Sequence, residues 1–291
     1  MGSERATGQS QISSVLVVGA GAMGSGIAQV IAEAGIDVTL SDVDTPSLER
    51  GLAGIVARWD KAVATGKRDA GTVADSRDYL HSGELNRARD VDLVIEAIVE
   101  RLHTKSALFR DLGALAPAHT ILASNTSSIS VTALATASGR PAQFVGLHFF
   151  NPVPVLPLVE IVRGLETSQD TVDAADQFVT RLGKTPILVE DSPGFVANRI
   201  LLPMINEAVF TLQDGVADAA GIDTVMKLGA AHPLGPLALA DLIGLDVCLD
   251  ILDTLHRDFG DDKYRPAPLL RRMVAAGKLG RKSGQGFHDY A

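Results

Sequence analysis

The first half of the chain alternates short apolar runs with longer amphipathic stretches. The apolar runs are rich in Val, Ile and Leu and are predicted to be buried strands, at residues 15–18, 37–40, 92–98, 120–123 and 144–148. Between them, apolar residues recur at helical spacing over 27–35, 45–67 and 102–115. Strands that alternate with helices predict an α/β fold with a doubly wound, mostly parallel sheet.

The pattern changes close to residue 190. The turn cluster at 191–194 precedes stretches with helical periodicity and little strand character, at 195–214, 218–228, 237–258 and 267–277. The sequence therefore predicts an α/β domain over residues 1–190 and an all-α C-terminal domain over 191–291. The polar residues 1–13 are expected to be disordered.

Composition restricts the classes of partner. With 291 residues, 46% of them hydrophobic and 21% charged, the chain is expected to be globular. Its net charge of -9 disfavours nucleic acid and anionic membrane surfaces as partners. Cys248, the single cysteine, excludes an internal disulfide and is expected to pack in the core. With no signal peptide, membrane span or metal-ligand pattern recognised, we expect a cytoplasmic protein without a metal site.

A glycine-rich motif follows the first predicted strand and opens the first helix. It consists of Gly19, Ala20, Gly21, Ala22, Met23 and Gly24, which match G-x-G-x-x-G. Asp42 ends the next predicted strand, where it would accept a hydrogen bond from a ribose 2′-hydroxyl and repel a 2′-phosphate. This context predicts a Rossmann-type dinucleotide site that favours NAD over NADP. FAD uses the same motif and stays an alternative at this point.

The segment 145–160 places a histidine and a carboxylate near this predicted sheet. His148 ends an apolar strand, and Glu160 follows in a region poor in charge. An imidazole at the carboxyl end of a strand lies where open α/β sheets bind ligands, which favours a proton-transfer role. The alternative from this segment alone is a buried histidine satisfied by a backbone carbonyl, with Glu160 as a surface charge.

Six segments together resemble the L-3-hydroxyacyl-CoA dehydrogenase family. They are VVGAGAMGSGIAQVIAEAG, DLVIEAIVE, ILASNTSSI, VGLHFFNPVPVLPLVEIV, DSPGFVANRIL and GRKSGQGF, in the family's order and spread over nearly the whole chain. Within the family, the chain is most similar to the bacterial 3-hydroxybutyryl-CoA dehydrogenases. The resemblance implies NAD-dependent, reversible oxidation of (S)-3-hydroxyacyl-CoA, with short chains such as 3-hydroxybutanoyl-CoA expected.

The resemblance also implies roles for individual residues. His148 is implied to be the catalytic base and Glu160 its carboxylate partner. Ser127 and Asn198 are implied to bind the substrate and orient its C3 oxygen, and helix capping by Ser127 or Ser128 is an alternative role for that serine. Besides the glycine-rich motif, the implied cofactor contacts are Asp42, Ile98, Val99, Glu100, Lys105, Ser127, Asn151 and Lys282.

The match departs from the family in one region. Arg58 and Thr65 occupy positions where some members place a serine and a lysine for coenzyme A. Lys61, Lys67 and Arg68 are therefore the candidate cations for the substrate phosphates, and solvated surface charge is the alternative for each. Two other functions are compatible with the same residues: a gulonate-type sugar-acid dehydrogenase and a non-catalytic, crystallin-like NAD-binding protein. The family resemblance also implies a homodimer formed through the helical domain.

Overall fold

The computed structural model describes residues 11–290, and these form two compact units. The first unit ends at Asp191 and the second begins at Ser192. The strands described in the first unit are β1 (Ser14–Val18), β2 (Asp37–Ser41), β3 (Leu80–Ser82), β4 (Leu93–Glu96), β5 (Ile121–Ser124), β6 (Phe144–Phe149), β7 (Leu158–Arg163) and β8 (Thr185–Glu190). Its helices are α1 (Ala22–Glu33), α2 (Thr45–Ala64), α3 (Ala70–Asp78), α4 (Leu102–Leu115), α5 (Val131–Ser138) and α6 (Gln169–Arg181).

Within residues 11–290 the strands make one eight-stranded sheet in the order β3-β2-β1-β4-β5-β6-β7-β8. The predicted doubly wound, mostly parallel architecture is confirmed. β1 pairs with β2 on one side and with β4 on the other, and the chain reaches β4 by crossing over from β3 at the edge of the sheet, so the carboxyl end of β1 is a topological switch point. Ligands of open α/β sheets bind in the crevice at such a point, and the glycine-rich motif begins there.

Two strands, β7 and β8, run opposite to the other six strands of the described sheet. β7 runs antiparallel to β6, whereas β8 is again parallel to β7. Residues 150–157 separate β6 from β7, and this short segment reverses the chain directly, because a parallel return would require a crossover of a dozen residues or more. The strand pattern in the sequence did not predict β3, β7 or β8.

The central strands of the sheet are buried on both faces, as is usual for parallel strands. In β1, residues from Val15 to Val18 are all buried, because helices cover both faces and the strand cannot alternate between core and solvent. In α2, Trp59 is 1% exposed and its indole Nε1 donates a hydrogen bond of 2.8 Å to Glu33 on α1. The core of this unit therefore lies between the sheet and its helices.

Several boundaries differ from those predicted. The prediction of disorder over residues 1–13 is wrong for 11–13, because Ile12 is 7% exposed and the Ser13 amide donates to Asp92 at 2.8 Å. The remainder of that prediction, residues 1–10, lies outside the described part of the chain. The helix predicted over 237–258 is two helices, because Gly244 between them adopts φ +107° and cannot continue the helical path.

The second unit is helical, as predicted. Its helices are α7 (Ala197–Gln213), α8 (Ala219–Gly229), α9 (Pro236–Ile243), α10 (Leu245–Phe259) and α11 (Pro268–Ala275). Their apolar faces form one core, in which Cys248 is fully buried. Asp241 holds the C-terminal segment to this core, because its carboxylate accepts hydrogen bonds from the backbone of Phe287 and His288 at 2.9 Å. Of the helices in residues 11–290, none has the length and apolar character needed to cross a membrane.

Candidate active site

His148 and Glu160 form a buried pair on adjacent strands. The imidazole Nδ1 lies 2.7 Å from Glu160 Oε2, and the two residues are 6% and 1% exposed. A carboxylate at this distance favours the tautomer in which Nδ1 carries a proton. The opposite ring nitrogen, Nε2, is then the one suited to accept a proton from a substrate. The alternative in which Glu160 is a surface charge is wrong, because this residue is buried.

The antiparallel register of β6 and β7 creates the pair. His148 stands directly opposite Glu160 in this ladder, so their side chains project from the same face of the sheet. The strand end is further held by Asn125, whose Oδ1 accepts a hydrogen bond of 3.0 Å from the Phe149 amide. The Phe150 ring lies 4.5 Å from the imidazole, centroid to centroid. The imidazole at the carboxyl end of β6 is therefore contacted by Glu160 on one side of the ladder and by the Phe150 ring.

The glycine-rich loop has the geometry that a pyrophosphate requires. Gly19 adopts φ +107°, and a Cβ there would lie 2.5 Å from the Ala97 carbonyl oxygen. A Cβ on Gly24 would overlap the Gly19 carbonyl oxygen, so close packing of α1 against the loop needs glycine here. A Cβ on Gly21 would meet nothing within 4 Å, so the backbone at the start of α1 borders open space. An anion placed there would face the N-terminal amides of α1.

Asp42 follows β2 and contacts the same loop. Its Oδ2 accepts a hydrogen bond of 2.7 Å from the Ala20 amide, and its Oδ1 accepts one of 2.9 Å from the Asp44 amide. An ionised carboxylate offers about four acceptor positions, so these two bonds leave acceptor capacity for ribose hydroxyls. The loop and Asp42 together fit a dinucleotide with an unphosphorylated ribose.

The structure reveals a buried carboxylate that the sequence analysis did not identify. Glu96, the last residue of β4, is fully buried. Its Oε1 accepts hydrogen bonds from Lys105 Nζ at 2.6 Å and from the Ile98 amide at 2.7 Å. Its Oε2 accepts one from the Ser124 hydroxyl at 2.6 Å. The signal available in the sequence was a glutamate inside an otherwise apolar strand, since such a residue is seldom buried without a partner.

Lys105 joins Glu96 to Glu100. The lysine is 1% exposed, and its Nζ also lies 3.0 Å from Glu100 Oε2. Burial disfavours the charged form of Glu100, but the Lys105 ammonium and the hydrogen bond from Thr126 outweigh this effect and hold the pKa of Glu100 below its ordinary value. The Lys105 ammonium is therefore paired with two carboxylates of the protein. Its implied contact with the cofactor stays a prediction.

Glu100 in turn holds the loop that carries Ser127. Its Oε1 accepts hydrogen bonds from the Thr126 hydroxyl at 2.6 Å and from the Ser127 amide at 2.8 Å. The Ser127 hydroxyl lies 3.4 Å from the same oxygen. Capping of the next helix by Ser127 or Ser128 is wrong, because α5 begins at Val131 and its N-cap is Ser130, whose hydroxyl accepts from the Ala133 amide. Ser127 thus lies in the turn before that helix.

The other predicted site residues of the first unit line its surface. Met23 and Ile98 are partly buried, whereas Val99 and Asn151 are exposed. These positions follow the ends of β1, β4 and β6, at the carboxyl edge of the sheet. Lys61, near the end of α2, and Lys67, just beyond it, are both exposed.

Asn198 and Lys282 belong to the second unit. Asn198 is 9% exposed and lies in the first turn of α7. Lys282 pairs with Asp246 on α10, with an Nζ to oxygen distance of 2.6 Å. Their implied contacts with substrate and cofactor remain predictions.

Comparison with protein families identifies two matching models. Residues 14–192 match the model of the NAD binding domain of 3-hydroxyacyl-CoA dehydrogenase, and residues 194–290 match that of its C-terminal domain. The two matches leave only one residue between them and cover most of the chain.

Individual relatives agree with the family models. The chain is 54% identical to a probable 3-hydroxybutyryl-CoA dehydrogenase of Deinococcus radiodurans, over 94% of this chain and 99% of that protein. It is 51% identical to a 3-hydroxybutyryl-CoA dehydrogenase of Bradyrhizobium diazoefficiens, over 96% of each. It is also similar to the crystal structure of (S)-3-hydroxybutyryl-CoA dehydrogenase from Ralstonia eutropha, with a TM-score of 0.93, 45% identity and coverage of 97% of this chain and 100% of that one.

Proposed function

The chain belongs to the 3-hydroxyacyl-CoA dehydrogenase family, and we infer from this that it is an NAD-dependent oxidoreductase that interconverts (S)-3-hydroxyacyl-CoA and 3-oxoacyl-CoA. We further propose that its preferred substrate is short, as in 3-hydroxybutanoyl-CoA. Relatives that share half or more of their residues with this chain carry that substrate in their names. These names favour a CoA thioester over the sugar acid of the alternative hypothesis.

The buried pair of His148 and Glu160 is the observation that best supports this chemistry. Oxidation of a secondary alcohol requires the hydroxyl proton to leave as hydride departs from the same carbon. Imidazole is the side chain suited to exchange protons near neutral pH, so His148 takes this proton at Nε2 and returns it in the reverse reaction. Glu160, 2.7 Å from Nδ1, holds the ring in the required tautomer and stabilises the imidazolium that forms.

We propose that the cofactor binds at the carboxyl end of β1. NAD, when bound, supplies the hydride acceptor, which the protein itself does not contain. The Gly19 to Gly24 loop would hold its pyrophosphate against the start of α1, and Asp42 would bind the adenosine ribose. Glu100 and Ser127 are both implied cofactor contacts, and they are joined by a hydrogen bond of 2.8 Å from the Ser127 amide to Glu100 Oε1.

Ser127 and Asn198 are proposed to bind the C3 oxygen of the substrate. A hydroxyl and an amide are neutral donors, and they stabilise charge that develops on this oxygen without repelling an imidazolium. We propose that Lys61 and Lys67, exposed cations in a chain of net charge -9, bind the phosphates of the CoA portion.

We also propose that the protein is a cytoplasmic homodimer that associates through its helical unit. The exposed apolar residues of that unit support this proposal, since Ile200 on α7 is 67% exposed and Leu228 on α8 is 82% exposed. The buried, unpaired thiol of Cys248 agrees with a reducing compartment. Sedimentation at several protein concentrations would measure the mass in solution, and a monomer throughout would contradict the dimer.

Substitution of His148 tests the proposed base. We expect His148→Asn to lower the turnover of acetoacetyl-CoA with NADH by about 10²- to 10⁴-fold, the usual contribution of a general acid or base. NADH binding, followed by fluorescence titration, should change little. The matched control is His119→Asn, which alters an exposed histidine of the same unit.

These measurements test the role of His148 and the proposed activity separately. If His148→Asn retained wild-type turnover, His148 would not be the base. If the unaltered protein failed to oxidise NADH with acetoacetyl-CoA and with longer 3-oxoacyl-CoA substrates, the proposed activity itself would be wrong.

A further inference from the structure

A continuous series of polar contacts leads from the interior of the sheet to Ser127. It begins at Glu96, which is fully buried and bound to Lys105 at 2.6 Å. Lys105 is 3.0 Å from one oxygen of Glu100, and the other oxygen accepts the Ser127 amide at 2.8 Å. Each member is thus oriented by the previous one.

The series contains more negative than positive groups. Two carboxylates share a single ammonium, and that ammonium is withdrawn from solvent. A buried ammonium is costly unless it is paired with a carboxylate. Glu96, the more deeply buried of the two carboxylates, fixes the position of the Lys105 ammonium through the 2.6 Å bond. The Lys105 ammonium also attracts the carboxylate of Glu100, whose side chain is 35% exposed. Without this attraction, the Glu100 carboxylate would be free to turn into solvent.

We propose that Glu96 and Lys105 are positioning residues that hold Ser127 in its reactive orientation by orienting the Glu100 carboxylate. This inference rests on the proposed function, in which Ser127 contacts the substrate oxygen. It assigns Lys105 to the placement of a protein group, a role distinct from its implied contact with the cofactor. Glu96, which has no role in the proposed reaction, is assigned the role of fixing the position of Lys105.

The ionisation of Glu100 links this arrangement to pH. Within the described residues, Lys105 on α4 is the ionisable group that forms an ion pair with Glu100, and Glu96 on β4 pairs with the same lysine. Lys105 and the hydrogen-bond donors of the Ser127 loop hold the pKa of Glu100 below its ordinary value against the opposing effect of burial. Without the lysine, burial would raise this pKa, and a protonated Glu100 would no longer accept the Ser127 and Thr126 donors as strongly.

Three variants of the full chain separate positioning from structural support. Lys105→Met removes the ammonium and leaves the buried Glu96 carboxylate unpaired, so it should lower both stability and turnover. The double variant Glu96→Gln with Lys105→Met removes both charges and should regain much of the thermal stability, because a buried pair replaced on both sides is often tolerated. Arg110→Met is the matched control, since Arg110 is an exposed cation on the same helix.

The kinetic pattern decides between the two roles. We expect kcat for acetoacetyl-CoA reduction to fall by about 10- to 100-fold in both the single and the double variant, as for other misplaced reacting groups. The acid limb of the kcat profile should move to higher pH in both, and neither change should appear in Arg110→Met. If the double variant regained kcat together with its melting temperature, the pair would be structural only and the proposal would be overturned.

A measurement without cofactor or substrate gives an independent test. In protein labelled with ¹⁵N-serine, the Ser127 amide signal can be assigned from its loss in Ser127→Ala. We expect this amide to shift upfield in Lys105→Met as pH is lowered, at a pH where the unaltered protein shows no change. An identical titration in the two proteins would contradict the proposal. If Ser127→Ala retained full turnover, the proposed catalytic role of Ser127 would fail instead, whatever the amide signal showed.

Discussion

The bond between Glu160 and His148 offers the most direct test of the proposed mechanism. Glu160→Gln replaces a carboxylate by an amide of nearly the same shape, so the packing of a residue that is 1% exposed is kept. The amide cannot offset the positive charge that His148 gains with the substrate proton. We therefore expect turnover to fall while the fold and NADH binding are retained.

The magnitude follows from the geometry of the pair. With Nδ1 and Oε2 2.7 Å apart, the charge centres of imidazolium and carboxylate are close. Two unit charges about 4 Å apart interact by about 4 kcal/mol at an effective dielectric constant of about 20. Loss of most of this interaction would reduce kcat roughly 10³-fold, since about 1.4 kcal/mol corresponds to a factor of ten. A glutamine that donates to Nδ1 would also place the ring proton on Nε2, where the substrate proton must go.

The assay compares kcat and KM for acetoacetyl-CoA with NADH across the variants. Glu166→Gln is the matched control, because this glutamate lies on the surface shortly after β7. Glu160→Asp retains the charge but withdraws it by one methylene, so its turnover should lie between those of the wild type and Glu160→Gln. Fluorescence titration with NADH and the thermal melt establish that the cofactor site and the fold persist.

One result would refute this reasoning. If Glu160→Gln kept kcat within about threefold of the wild type while His148→Asn lost it, the carboxylate charge would contribute little to the transition state. Glu160 would then have only a structural role in the β6–β7 ladder.

Three further predictions concern the cofactor loop and the helical unit. Gly24→Ala should lower thermal stability and NADH affinity together, whereas Gly21→Ala should weaken NADH binding with little change in melting temperature, because only the first added methyl overlaps protein atoms. Asp241→Ala should lower the free energy of unfolding by about 2 kcal/mol in denaturant titration, since it leaves two partly buried amides of the C-terminal segment unpaired; a loss below about 0.5 kcal/mol would contradict this. Burial raises the pKa of the Cys248 thiol to about 12, so iodoacetamide at pH 8 should label it only after unfolding, and rapid labelling of the native protein would exclude a buried thiol.

Local patterns in the sequence were sufficient for much of the fold and of the cofactor site. The run from Val15 to Val18, the glycine motif and Asp42 lie close together along the chain, and each is encoded by rules that act over a few residues. The break at Gly244 shows the limit of such rules. The apolar spacing continues through this glycine, and only its φ of +107° reveals that two helices meet there.

The sequence by itself identified the groups that are proposed to carry the chemistry, and the tertiary structure decided how His148 and Glu160 meet. His148 and Glu160 were identifiable as residue types, but their contact depends on β7 running antiparallel to β6, which the strand pattern did not predict. Glu96 was missed because a charged residue in an apolar strand reveals its role only through its partners. Strand pairing and the burial of a charge depend on residues distant in sequence, whereas periodicity and turn motifs depend on neighbours, and this difference separates what the sequence predicted from what required the fold.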